Sequence, residues 1–155
     1  EELTTLLSRI ESTLNSRPLG ALSPDPRNFE ALTPSHFLTL MPSTAMVEPN
    51  LSVVPMSRYQ RWRLIRDLHA HFWNRWQREY LQTLQPRSKW STNMDNLKEG
   101  TMVLIREPTA PLCWKLGRVT HLHPGQDGVV RVATVQTING LLKRPTVKLC
   151  PLPLY

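Results

Sequence analysis

From Ser57 to Pro86 large side chains recur at helical spacing, with Trp62, Ile65, His69, Phe72, Trp76 and Tyr80 marking one face and Leu68 and Trp73 widening it. Arginines fill most of the other positions. The pattern predicts one long amphipathic helix, with Ser57 as its N-cap and Pro86 near its end. Its last part, HFWNRWQREYLQTLQPRSKW from His71 to Trp90, interleaves three of the chain's five tryptophans with four arginines or lysines. Tryptophan offers a large packing surface with one polar handle, and arginine a fork suited to phosphates and aromatic faces.

The flanks of this helix are of different kinds. Before it, Leu3, Leu6, Leu7, Ile10 and Leu14 repeat at helical spacing and stop at Asn15-Ser16-Arg17-Pro18, which predicts a first amphipathic helix. Seven of the fourteen prolines then fall between Pro18 and Pro55, a density that suits an extended, partly anchored connector, with Thr33-Pro34 starting a short helical turn inside it. After Leu97 the signal is β. Apolar runs at Met102–Ile105, Leu116–Leu122, Val129–Val135 and Leu141–Leu149 alternate with turn residues, and Asn139-Gly140 carries a two-residue hairpin signal. Five short strands in so few residues predict a small SH3-like barrel.

The charge is divided as sharply as the pattern. The formal net charge is +7, yet residues 1–55 hold three basic and six acidic side chains and residues 56–155 hold sixteen basic and six acidic ones. The positive field therefore belongs to the C-terminal two-thirds, and a polyanionic partner is expected there. No run approaches the length of a transmembrane helix and no secretory leader pattern is present, so a soluble intracellular chain is expected. Two cysteines, Cys113 and Cys150, offer no disulfide framework and suit a reducing compartment. The chain starts at Glu1, already in a helical pattern, and reads as a piece of something longer.

These segments together resemble the integrase C-terminal region of BEL/Pao-type LTR retrotransposons. IESTLNSRPL (Ile10 to Leu19) and ALTPSHFL (Ala31 to Leu38) are similar to the stretch that closes the RNase H-like integrase core. The run from His71 to Trp90, NLKEGTMVLIRE (Asn96 to Glu107) and WKLGRVTHLHPGQDGVVRVATVQTINGLLKRPTVKLCPLP (Trp114 to Pro153) resemble the domain of unassigned function that follows it. Integrases of that superfamily hold two divalent metals, Mg2+ as a rule, with two aspartates and a glutamate. In the resembled family these carboxylates lie upstream of the position of Glu1, so the resemblance implies a non-catalytic piece with no cofactor of its own. It also implies double-stranded DNA as partner, other integrase subunits as further partners, no membrane or small-molecule substrate, and a nuclear or cytoplasmic integration complex as its place.

Within the chain, no constellation of catalytic groups is expected. Glu11 sits at the edge of the first helix's apolar face, but one carboxylate cannot make a two-metal site, and a pairing with Arg17 or an anchoring contact in the core is the expectation. Asn15 and Arg17 read as a lock on the helix end. Cys113, His121, His123 and Cys150 have zinc-binding chemistry without zinc-binding spacing, and a buried free cysteine is the simpler reading. His36, His69 and His71 have no nucleophile arranged beside them; His69, on the aromatic face, reads as a hydrogen-bonded core histidine. The aromatic stripe itself reads as packing rather than as base-stacking platforms.

The arginines of the long helix have few acidic partners at helical spacing, which favours a surface for a phosphate backbone. The expected DNA-contacting set is Arg75, Arg78, Arg87 and Lys89 on and after the helix, and Lys115, Arg118, Arg131, Lys143, Arg144 and Lys148 on the barrel. An alternative from another class is a protein-interaction or multimerisation module without direct DNA contact. The expected architecture is α+β: residues 1–40 as the incomplete end of an integrase core, 41–56 as connector, 57–96 as basic aromatic helix and linker, and 97–155 as the small barrel.

Overall fold

The computed structural model describes residues 1–43, 56–85 and 97–153, with the side chains of 56–58 outside it. Helix α1 spans Glu2–Asn15. Ser16 closes it, its N–H donating to Ser12 O at 3.0 Å and its hydroxyl to Thr13 O at 2.7 Å, while Arg17 donates to Leu14 O at 3.2 Å. These donors satisfy last-turn carbonyls that Pro18 could not. The leucine repeat does not choose the buried side. Leu3 and Leu7 are 67% and 55% exposed, whereas Arg9 and Thr13 are buried. The reason lies in the partner, helix α3, which spans Met56–Leu84 and presents polar and aromatic groups at the crossing. Thr13 Oγ1 lies 2.8 Å from His69 Nε2, and the Arg9 guanidinium sits 4.4 Å above the Trp62 ring.

The proline-rich stretch is anchored by small elements. Strand β1 (Gly20–Ala21) pairs antiparallel with β2 (Ala31–Leu32), and helix α2 (Pro34–Thr39) follows. Thr33 caps α2 in a reciprocal box with His36, and Pro34 occupies the first turn, where its missing N–H costs nothing. Residues 44–55 of the expected connector lie outside the described residues. Because α3 begins at Met56, Ser57 lies inside its first turn and is not its N-cap.

The C-terminal part is a five-stranded antiparallel sheet in the order β6-β5-β4-β3-β7. Its strands are β3 (Met102–Ile105), β4 (Leu116–Pro124), β5 (Val130–Thr137), β6 (Gly140–Pro145) and β7 (Leu149–Pro151). The expected run from Leu141 to Leu149 is broken by a 3-10 turn at Thr146–Lys148, directly after Pro145, which lacks the N–H a continuing ladder would use. The hairpin loop also sits one residue earlier than expected. Thr137 pairs with Gly140, leaving Ile138 and Asn139 in the turn, and Gly140 alone of the Asn-Gly pair takes positive φ, at 114°. At Gly117 a Cβ would lie 2.4 Å from Val135 Cγ1, so that close strand approach needs glycine. The architecture is thus mixed helix and sheet.

Two apolar clusters use the two faces of the sheet. Val103, Ile105, Val119, Ala133, Val135 and Leu149 form one, with Leu97, Leu122 and Leu142 at its margin. Met102, Leu104, Cys150 and Leu152 form the other, joined by Leu81 of α3 and by Ala21 and Ala31 of the short strands. Alternation along β3 explains both, since successive side chains point to opposite faces. Each fully buried aliphatic side chain contributes about 1.5–3 kcal/mol, so this two-sided strand ties helix to sheet.

Candidate nucleic-acid interface

The aromatic residues fix where the basic surface points. Trp73 is 0% exposed and stacks edge-on against Trp114 at 4.9 Å, while Trp76 stacks on Tyr80 at 5.4 Å and meets Trp114 at 5.7 Å. Their polar handles are used structurally: Trp73 Nε1 donates to Thr109 O at 2.8 Å, Tyr80 Oη to Pro18 O at 2.5 Å, and Trp114 Nε1 to Ser16 Oγ at 3.2 Å. These rings are therefore packing residues, and Trp114, which no local pattern singles out, is at their centre. Leu68, expected to widen the buried face, is instead 46% exposed. The end of α3 is held to the sheet by Gln85 Nε2, which donates to Val147 O at 2.7 Å, and by the Cys150 thiol, which meets Leu81 O at 3.5 Å.

On α3 the positive charge is more compensated than the sequence suggests. Arg75 pairs with Glu79 at 2.9 Å and Arg63 with Asp67 at 3.7 Å, both one helical turn apart, and Arg61 reaches Glu2 of α1 at 3.4 Å. Such exposed pairs are worth about 0.2–1 kcal/mol, so a phosphate can displace them. Arg78 donates to Asn74 O at 2.9 Å and has no carboxylate partner among the described residues. Arg87 and Lys89 lie outside the described residues.

On the sheet the expected cations fall into three kinds. Lys115 and Arg144 share one carboxylate, Glu107, at 2.5 and 2.6 Å, and their hydrogen bonds hold its pKa below the ordinary carboxylate value. Arg131 forms a two-pronged pair with Asp127 at 2.9 and 2.6 Å, which lowers the aspartate to about 2. Lys143 and Lys148 are exposed, with no carboxylate partner among the described residues. Arg118 is the exception. It is 5% exposed, and its guanidinium donates to the carbonyls of Gly100, Ser23, Asp25 and Asn28 at 2.9–3.3 Å. It staples the loop after β1 to β4 and cannot also face an external phosphate.

A cation absent from the expected set completes the group. The Arg106 N–H donates to Lys148 O at 2.8 Å, extending the β3–β7 register by one pair beyond Ile105 and Leu149. Directly opposed like charges repel, and neither residue has a carboxylate partner among the described residues. The loops after β3 and around the 3-10 turn therefore bring two cation pairs to one end of the sheet, Lys115 and Arg144 on Glu107, and Arg106 opposite Lys148 in the β3–β7 register. The signal in the sequence was the position of Arg106 immediately after the β3 run and of Lys148 immediately before Leu149. Nothing local says that these two meet.

The remaining candidates resolve simply. Glu11 is exposed and makes no ion pair with Arg17, which is turned to Leu14. His69 is buried; desolvation, then the Arg9 charge, lower its pKa below 6.5. His121 and His123 stand 5.1 Å apart on the sheet, His123 bonded to Thr134 at 2.8 Å. Burial pushes the Cys150 thiol up against the opposing charge of Arg106, which keeps it protonated and unreactive, and Cys113 is exposed elsewhere. Among the described residues no three His, Cys, Asp or Glu side chains converge as a metal site requires, and no helix is long and apolar enough to cross a membrane.

A family model described as a family of unknown function, DUF5641, matches residues 60–152, which is more than half of the chain. No curated protein and no solved structure matches it.

Proposed function

The chain belongs to the family of unknown function DUF5641, and we propose that it is a non-catalytic, DNA-binding part of an LTR-retrotransposon integrase of the BEL/Pao type. It binds duplex DNA through backbone phosphates and supports integration chemistry carried out by carboxylates and Mg2+ elsewhere in the parent. The carrying observation is the concentration of cations at the end of the sheet, Lys115 and Arg144 on Glu107 and Arg106 opposite Lys148 in the β3–β7 register, beside the anchored end of α3. Cations held this way by strand ends supply charge without base-reading geometry, because phosphate contacts position and base-edge contacts specify. Arg78 and Lys143 add exposed charge on the helix and on β6. The four-strand meander, the 3-10 turn and a last strand returning to β3 support reading the sheet as a small SH3-like barrel. Fluorescence anisotropy with two labelled duplexes of unrelated sequence tests the proposal: similar affinities are expected, and strong preference for one would refute phosphate-only recognition.

A second reading, multimerisation or protein interaction, is favoured by apolar exposure on the N-terminal helices. Leu3, Leu7, Phe37 and Leu38 are each more than half exposed. Light scattering over a concentration series distinguishes it, since a chain that remains monomeric has no use for that face in self-association.

A further inference from the structure

Arg9 is a cation without an anion. It is 6% exposed, stacks on Trp62 at 4.4 Å, and has no carboxylate or hydrogen-bond acceptor for its guanidinium among the described residues. A second group beside it is also unsatisfied. The Trp62 indole N–H is buried and has no acceptor. A buried donor such as the Trp62 N–H is normally paired, and the guanidinium of a residue as enclosed as Arg9, though its nitrogens reach the surface, normally meets an anion. Both residues line one open cleft of about 510 Å³ between α1 and α3, bordered by Glu1, Thr4, Thr5 and Ser8.

We infer that this cleft is a binding site for a carboxylate, which would accept hydrogen bonds from the Arg9 guanidinium and from Trp62 Nε1. Guanidinium and carboxylate match in shape as well as charge, because two parallel N–H groups meet two oxygens. The charge of the site selects a monoanion. Arg9 is the one cationic side chain lining the cleft, a single charge that matches a monoanion better than a polyanion such as a phosphate backbone. The Trp62 ring adds an apolar wall for the body of the ligand. This site is separate from the cations at the end of the sheet, and its occupancy does not depend on DNA binding.

The test is a 1H–15N titration of the 155-residue chain, following the Trp62 indole N–H and the backbone amides of Ser8 and Arg9. The probes are sodium benzoate, N-acetyl-trialanine with a free carboxyl, and inorganic phosphate, each at matched ionic strength. Either carboxylate should shift the indole proton downfield and saturably, and the tighter of the two identifies whether a small acid or a peptide end is the better source. Trp62→Phe, read on the amides, should weaken binding about tenfold, the worth of one hydrogen bond to a charged group. Arg9→Gln should remove saturation while amide dispersion shows the fold retained. If Arg9→Gln fails to fold, the Trp62→Phe result decides alone. An indole resonance that does not move with either carboxylate, or that moves with phosphate only, overturns the inference.

Discussion

Arg106 and Lys148 lie opposite one another at the end of the β3–β7 pair, joined by a backbone hydrogen bond of 2.8 Å, with no carboxylate between them among the described residues. Like charges so placed cost stability, so their joint removal should not destabilise the fold. The Arg106→Gln/Lys148→Gln double variant is expected to keep or slightly raise its melting temperature while binding duplex DNA more weakly. Its plot of log affinity against log salt should be shallower by about 2, two phosphate contacts fewer. Calorimetry and anisotropy on the same preparation check both halves.

Glu107 restrains two cations that could otherwise face phosphate. Glu107→Gln should therefore strengthen DNA binding at low salt while losing the ion pairs to Lys115 and Arg144. The acid dependence follows from the sign of its pKa shift. The folded pKa lies below the ordinary 4.5, so the stabilisation is present above 4.5 and is lost as pH falls through the folded value. Thermal melts should show this acid loss in the parent chain and a smaller one in the variant.

Arg118 should behave as a structural residue. Arg118→Ala leaves several carbonyls without donors and is expected to cost about 3 kcal/mol or more, on the scale of about 1–3 kcal/mol for each buried group left unsatisfied. Arg118→Lys should recover little, because one ammonium cannot reach carbonyls from Gly100 and from the Ser23–Asn28 loop together. Urea unfolding measures the loss, and DNA affinity under conditions where the variant is folded should be close to the parent's.

His69 couples the two long helices. The Thr13 hydroxyl donates to Arg9 O at 3.0 Å, so it accepts from His69 Nε2–H, a proton carried by the neutral ring and by the charged one alike. Burial and the Arg9 charge depress the folded pKa below 6.5, so the unfolded chain binds a proton that the folded chain refuses. Stability should therefore fall as pH drops from 6.5 through the folded value, and His69→Gln should remove that decline. Thr13→Val should cost about 1–3 kcal/mol through the donor left without a partner.

Much of the fold was legible because its signals are local. The helical repeats located α1 and α3, the Thr33-Pro34 pair located α2, and the apolar run Met102–Ile105 coincides with β3. What was not legible depends on pairings far apart in sequence. Leucine spacing on α1 could not reveal that α3 would offer His69 and Trp62 to its polar flank. Arg118 and Arg144 look alike as strand arginines, but only Arg118 meets the carbonyls of a loop some ninety positions away. Arg106 gained its place only when β7 returned to β3, and Trp114 became the centre of the aromatic group only once α3 crossed the sheet. Residue type predicted chemistry well and direction poorly.

Recognition of a phosphate backbone is read from the affinity of the 155-residue chain for a random-sequence duplex across a salt series. Six described cations enter the account, Arg78, Arg106, Lys143 and Lys148 directly and Lys115 and Arg144 by exchanging Glu107 for phosphate. Log affinity should fall linearly with log salt at a slope of about −5. A slope near zero, or no binding to duplex DNA at low salt, would contradict it.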